Sequence, residues 1–172
     1  EHKYNDAGHA IHSAILMARP DVNVVLHSHT RAGMAVSCMQ CGLLPLTQQA
    51  SEVMDNLCYH DYDVAVGAED ECERLGRDIG DKHAMIMHNH GLLTCASTVA
   101  EAFYQMYILE NACKVQVDAM ASGADLHHTK ESAAKMLRDY GRVKPNKPSR
   151  SSRLAWPALI RMLEKQDDSY RS

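Results

Sequence analysis

The sequence predicts an α/β domain in which helices cover a central sheet. Three observations carry that expectation. Two short apolar runs, Val22-Asn23-Val24-Val25-Leu26 and Ala84-Met85-Ile86-Met87, have the length and composition of buried strands. Longer stretches with apolar residues at helical spacing lie between and after them. Strand-like and helix-like segments alternate, which is the pattern of a layered domain. At 172 residues and 45% apolar composition, the chain suits one domain, residues 1–172, with a packed core.

The elements follow in order. Residues 6–19 read as a helix whose apolar stripe is Ala10, Ile11, Ala14, Ile15 and Met17, and Arg19-Pro20 stops it. A strand over 22–29 follows. Thr30 then caps a helix reaching about Cys38, and Gly42 ends that region ahead of a turn or short edge segment at Leu43-Leu44-Pro45. A short helix is expected over 48–56. Two strand candidates lie between Leu57 and Val66, around the polar patch Tyr59-His60-Asp61-Tyr62-Asp63. An acidic amphipathic helix over 69–81 ends at Gly80. The second buried strand, 84–87, runs straight into His88-Asn89-His90-Gly91. Thr98 and Glu101 form a capping box, each satisfying a free backbone N–H at the start of a helix that runs to Ser122. Its residues Phe103, Tyr104, Met106, Tyr107, Ile108 and Leu109 cover more than one face, enough for the sheet and for part of a neighbouring subunit. Two further helices, 129–141 and 153–166, are joined by a linker over 142–153.

Composition excludes several classes of function. The net charge is -4, with both signs interspersed, so there is no footprint for nucleic acid. The basic stretch Arg142, Lys144, Lys147, Arg150 and Arg153 is broken by Pro145, Pro148 and serines and reads as a solvated linker. No apolar run approaches the roughly eighteen residues of a membrane-spanning helix, and the first residues lack a signal-peptide pattern, so a cytoplasmic location is expected. The six cysteines then read as free thiols. Cys38-Met39-Gln40-Cys41 has redox or zinc spacing but lacks a second CxxC or a thioredoxin-like setting.

Eleven histidines in one domain is an excess, and most have no assignable role. His27 and His29 differ. They lie two residues apart at the end of a buried strand, where period-two geometry puts both rings on one face. His90 ends the second buried strand in the same manner, followed by Gly91, which permits a sharp turn. If the two strand ends lie close together, three imidazoles converge. Three neutral nitrogens suit zinc, or manganese, cobalt or iron, and leave coordination positions open, as in a catalytic site. His88 competes with His90 as third ligand, from deeper in the strand.

"VVLHSHTRAGMAVS", "CGLLPLTQQA", "YHDYDVAVG", "NHGLLTCASTVAEAFYQMYILENACKVQV" and "WPALIRMLEKQDDSYRS" together resemble the class II aldolase/adducin family, over nearly the whole chain from about Asn5. The likeness is to bacterial members of unassigned substrate and to the head domain of adducin. It implies a three-layer α/β/α fold with a central, largely antiparallel sheet. It implies a metal held by His27, His29 and His90, and homotetramers with active sites at subunit boundaries. The activities it implies are retro-aldol cleavage of sugar phosphates, epimerisation of pentulose phosphates, and dehydration of a thio-sugar phosphate.

Two departures stand out. Such domains carry a further N-terminal part with early helices, strands and a phosphate-binding loop, so the chain is expected to be the C-terminal two-thirds of one, short of strands. An open sheet edge would then be an aggregation hazard. The family also places a carboxylate four residues before the histidine matching His12, and here that position is Gly8, which cannot transfer a proton. Tyr59, His60, Tyr62 and Glu52 are the remaining candidates for acid/base work, and Thr30 and Asn89 flank the ligands and could orient them. The expected function is a divalent-metal-dependent lyase or isomerase of the aldolase type on a small carbonyl or sugar-phosphate-like substrate. The alternative is a catalytically silent, adducin-like oligomerisation module.

Overall fold

The structure, a computed structural model, describes residues 5–63, 68–141 and 149–171. The first helix, α1 (Asp6–Ala18), opens on Asn5, whose side chain accepts a hydrogen bond from the Gly8 amide at 3.1 Å. Strand β1 (Val24–Ser28) is shorter than expected and is followed by α2 (Arg31–Ser37), capped by Thr30. Helix α3 (Gln48–Met54) starts on the Thr47 cap and leads into β2 (Leu57–His60). The second strand candidate of that region reaches into residues 64–66, outside the described residues. Helix α4 (Ala68–Ile79), strand β3 (Ala84–Met87), strand β4 (Gly91–Ala96) and the long helix α5 (Val99–Ala121) follow. The chain closes with α6 (Glu131–Gly141), α7 (Arg150–Gln166) and a single turn of tighter helix at Ser169–Arg171. Most of the expected linker over 142–153 lies outside the described residues, and the last helix begins at Arg150, three residues before its expected start.

Among the described residues, four strands form one sheet in the order β1-β4-β3-β2. The pairs β1/β4 and β4/β3 are antiparallel, and β2/β3 is parallel. The sheet is therefore largely antiparallel, as the resemblance implied. Strand β4 is absent from the sequence reading, which let Gly91 end an element instead of starting one. It is a run of six buried residues and sits between the two strands that were recognised.

Alternation along β3 and β4 builds the three layers. Ala84, Ile86 and Leu92 face Ala32 and Val36 of α2, Ala50 and Val53 of α3, and Ile108, Leu109, Ala112 and Cys113 of α5. Met85, Met87, Leu93 and Cys95 face Ile11, Ala14 and Ile15 of α1 with Leu75 and Ile79 of α4. Both faces are covered, so the central strands are buried throughout, and the one hydroxyl among them, Thr94, donates to the Ala102 carbonyl.

The expected capping box is half formed. Thr98 Oγ1 accepts from the Glu101 amide at 3.3 Å. The Glu101 carboxylate does not return to Thr98. It accepts from the Ser149 amide at 2.8 Å and the Ser152 hydroxyl at 2.5 Å, at the N-terminus of α7. The reason is burial: Glu101 is only 2% exposed, so the donors of the helix packed over it, not water, must satisfy its charge.

Candidate metal centre

His27 lies in β1, and His29 stands one residue past its end. Extended backbone puts both rings on one side, as the spacing required. His90 does not end a strand. β3 stops at Met87, and His88-Asn89-His90 form the loop to β4. Asn89 adopts φ 55°, a left-handed conformation that asparagine tolerates better than most residues, and its amide donates to the Ser37 carbonyl at 3.1 Å. Because β4 runs antiparallel to β1, with Ser28 opposite Leu92, this loop falls beside the end of β1. Convergence is thus produced by a strand the sequence reading lacked. Gly91 makes it possible: a Cβ there would stand 2.4 Å from the Ser28 carbonyl oxygen and 3.1 Å from His29 Cδ2.

The three rings meet edge to face or tilted, with centroids 4.6 to 4.8 Å apart. His27 Nε2 is 2.9 Å from His29 Nε2 and 3.3 Å from His90 Nε2. His27 Nδ1 lies 2.9 Å from the Leu92 carbonyl, which can only accept. The Nδ1 therefore carries the proton, and the neutral ring presents its lone pair at Nε2. Burial lowers the pKa of His27, opposed by that carbonyl and assisted by His29. His90 is pushed down to about 4, first by burial and then by His27 and His29. Its Nδ1 is buried and has no hydrogen-bond partner.

The donor set suits a divalent cation. Lone pairs this close repel unless a proton or a cation lies between them. Three nitrogens about 2.1 Å from one ion, at tetrahedral or octahedral angles, stand about 3.0–3.4 Å apart. The separations of 2.9 and 3.3 Å agree with that. Among the described residues, these three histidines form the one group whose ligand atoms lie close enough to share an ion, all within 4.8 Å of one another.

The other candidates fall in different places. The Tyr62 ring packs against His90 at a tilt of 41°, with centroids 3.9 Å apart. His60 is buried away from the cluster, between Glu71 and Asp78 of α4. Tyr59 accepts from the Leu43 amide at 3.0 Å through its hydroxyl, so it serves the loop after α2. Glu52 lies at 7% exposure beside the Tyr104 hydroxyl, with its pKa raised by burial. The Thr30 hydroxyl caps α2 and donates to Glu110 at 2.5 Å, so it is not turned toward an imidazole. The Asn89 side chain is exposed, and the residue's visible contribution is the turn. What orients His27 is the Leu92 carbonyl, a backbone partner no side-chain pattern announces. His88 pairs with Asp61 at 2.6 Å. A cleft of about 420 Å³ between α2 and α5, lined by Thr30, Arg31, Glu110, Lys114 and Asp118 among others, contains none of the three histidines.

Protonation follows from the same geometry. His90 titrates near 6.5 when free and at about 4 in the fold, so between those values the unfolded chain binds the proton and the folded chain does not. Stability of the chelated protein is therefore expected to fall as pH drops from 6.5 toward 4, and His90→Gln to flatten that fall. Thermal unfolding in chelator across this window checks it.

The sequence pattern of the Class II Aldolase and Adducin N-terminal domain matches residues 1–117. The chain belongs to this family. It is 44% identical over 171 residues to a class 2 aldolase-like protein of Pseudomonas aeruginosa, covering 99% of this chain and 66% of the relative. It is 43% identical over 119 residues to mouse alpha-adducin, covering 69% of this chain and 16% of adducin. The crystal structure of an aldolase II superfamily protein from Pseudomonas syringae superposes with a TM-score of 0.89 at 40% identity, covering 98% of this chain and 66% of that one. L-fuculose 1-phosphate aldolase from Glaciozyma antarctica superposes at 0.76 with 28% identity, covering 94% and 61%. The fold is that of class II aldolases, and the chain spans just under two thirds of the length of the bacterial relatives it matches.

Proposed function

We propose that this chain carries the metal centre of a divalent-metal-dependent lyase or isomerase of the aldolase type, acting on a small carbonyl or sugar-phosphate-like compound. The carrying observation is the meeting of three imidazole nitrogens at 2.9 and 3.3 Å. Likeness to L-fuculose 1-phosphate aldolase supports the substrate class. Zinc suits an all-imidazole set best, with manganese, cobalt or iron as alternatives. The bound ion would supply Lewis-acid polarisation of a carbonyl oxygen. His27, His29 and His90 would hold it, the Leu92 carbonyl fixes the His27 tautomer, and the Tyr62 ring shields one face of His90 from water. Among the four acid/base candidates, Tyr62 touches the cluster. Assembly as a homotetramer belongs to the same reading, with exposed Met17, Tyr107 and Leu154 as apolar surface for it, and light scattering tests it.

A second reading has its own observation. Gly8 stands where the resemblance expects the acid, and alpha-adducin is among the relatives. That favours a silent assembly module. Metal content of the full-length protein by plasma mass spectrometry, beside a His27→Ala/His90→Ala variant, separates the two. About one zinc, manganese, cobalt or iron per chain, lost in the variant, is expected. No metal after reconstitution with excess zinc or manganese would leave the assembly module.

Gly8→Glu probes the departure directly. A Cβ at Gly8 meets nothing nearer than the Asn5 side chain at 3.8 Å, and the position is the third of α1, where glutamate completes a capping box with Asn5. Replacing a helical glycine there is expected to stabilise by about 1 kcal/mol, read as a higher denaturation midpoint. On the lyase reading, the same variant gains turnover on a sugar-phosphate panel. On the module reading it gains stability alone.

A further inference from the structure

We propose that α4 is a positioning clamp for the histidine centre: Glu71, Arg74 and Asp78 fix His60 and Asp61 so that Tyr62, next in the chain, is held against His90. The proposal rests on the reading of His27, His29 and His90 as a metal centre.

Residues 61 and 62 lie beyond the end of β2, outside every strand among the described residues. A loop of this kind moves unless something ties it, yet its Tyr62 ring sits 3.9 Å from the ring of His90. The ties are dense and come mainly from α4. Glu71 Oε1 faces His60 Nε2 at 2.9 Å, and Asp78 Oδ2 faces His60 Nδ1 at 2.8 Å. Arg74 donates to the second Glu71 oxygen at 2.8 Å and also to the Asp61 carbonyl. From the other side, the His88 amide donates to the His60 carbonyl at 2.8 Å, and His88 Nδ1 meets the Asp61 carboxylate at 2.6 Å. Residues 60 and 61 are thus held between α4 and the loop that carries His90.

The chemistry of His60 shows what this arrangement is for. Its side chain is fully buried, with a carboxylate at each ring nitrogen. Well-packed apolar residues would stabilise such a place as well or better, because burying charges costs several kcal/mol per ion before pairing repays it. What an ionic cluster gives that an apolar contact does not is direction: each bond fixes one atom. The direction fixed here is that of the backbone leading to Tyr62. Outer partners that orient metal-binding histidines commonly change metal affinity about 10- to 100-fold when removed.

The rival account is that the cluster merely fastens α4 to the edge of the sheet. A double-mutant cycle on cobalt(II) affinity distinguishes them, using the full chain stripped by chelator and titrated with cobalt(II), with its visible absorption as the signal. Tyr62→Leu is expected to weaken binding about tenfold, and Tyr62→Phe, which keeps the ring, to stay within about twofold. Glu71→Gln is expected to weaken it about tenfold and to alter the cobalt spectrum, with Asp78→Asn weaker in the same direction. The pair Glu71→Gln/Tyr62→Leu should bind no worse than Tyr62→Leu alone, because both act through one contact. Should Glu71→Gln fail to fold, Asp78→Asn, at a carboxylate 25% exposed, takes its place in the cycle. Wild-type affinity and spectrum in the folded clamp variants, or losses that simply multiply in the pair, overturn the clamp while leaving the metal centre standing. Absence of cobalt binding by the unsubstituted chain overturns the metal centre and the clamp with it.

Discussion

Gly91→Ala is expected to weaken metal binding at least tenfold and to destabilise the fold by about 3 kcal/mol. The glycine is required for space and not for an unusual backbone angle. A methyl group there would lie 2.4 Å from the Ser28 carbonyl oxygen, and that neighbour is backbone, which cannot rotate aside as a side chain can. Relief comes only if the end of β1 moves away from the start of β4. The same movement breaks the Ser28–Leu92 pairing and the bond from His27 to the Leu92 carbonyl, and it carries His29 away from His90. Stability and metal affinity should therefore fall together, read by urea unfolding and by competition against a metal indicator. Gly8→Ala is the control. Its Cβ meets ordinary contacts, so it should leave metal affinity unchanged and stability equal or slightly raised. A Gly91→Ala protein with wild-type metal affinity and a stability change under about 0.5 kcal/mol would show that β1 and β4 are not paired in this register.

That dependence on β4 marks the limit of what could be read from the residues. Local patterns were legible: the strand that carries His27, the buried Ala84-Met85-Ile86-Met87 run, and the caps at Thr30 and Thr98 all stand where periodicity and cap chemistry put them. The three histidines were legible too, because HxH on a strand and a histidine before glycine are local statements. β4 was within reach, since Leu92-Leu93-Thr94-Cys95-Ala96 is a compact apolar-rich run between Gly91 and Ser97. The order in which the strands lie side by side was not, because neighbour choice is a long-range property with no local pattern.

The side-chain assignments divide along the same line. Thr30 is adjacent to His29 in sequence, but its hydroxyl is taken by Glu110, 80 residues away. His60 looked like a proton-transfer candidate in a polar patch, yet α4 buries it between two carboxylates. The sequence shows that α4 is acidic and amphipathic. It does not show the rotational setting that aims Glu71 and Asp78 at one ring. Tyr62, from the same patch, is the residue that reaches the cluster, whereas Tyr59 lies within β2 and its hydroxyl accepts from the Leu43 amide.

Glu101→Ala is expected to release α7 and to destabilise the chain by about 3 kcal/mol, while leaving the metal centre loaded. The carboxylate is buried and accepts from three groups: the Ser149 amide, the Ser152 hydroxyl and, at 3.3 Å, Gln105 Nε2. Removing it strands the amide at a helix start and the Gln105 side-chain N–H, and leaves the buried Ser152 hydroxyl only the Ser149 carbonyl at 3.0 Å; unpaired buried donors cost about 1–3 kcal/mol each. The contact between Phe103 and Trp156, with centroids 5.6 Å apart, then remains as a hydrophobic tie between α5 and α7. Trypsin should cut after Arg153 faster in the variant, with amide exchange in β3 and β4 little changed. Glu101→Gln, which keeps an acceptor oxygen but loses the charge, should fall between the two. A carboxylate serving only as a local cap of α5 gives a different result: a loss near 1 kcal/mol and an unchanged rate of cutting. Metal binding completes the discrimination. Glu101 follows the far end of β4 from His90, so loss of α7 need not disturb the three histidines. A Glu101→Ala protein that binds metal normally but is cleaved at α7 would show that the last helix is held by one buried carboxylate, independently of the metal centre.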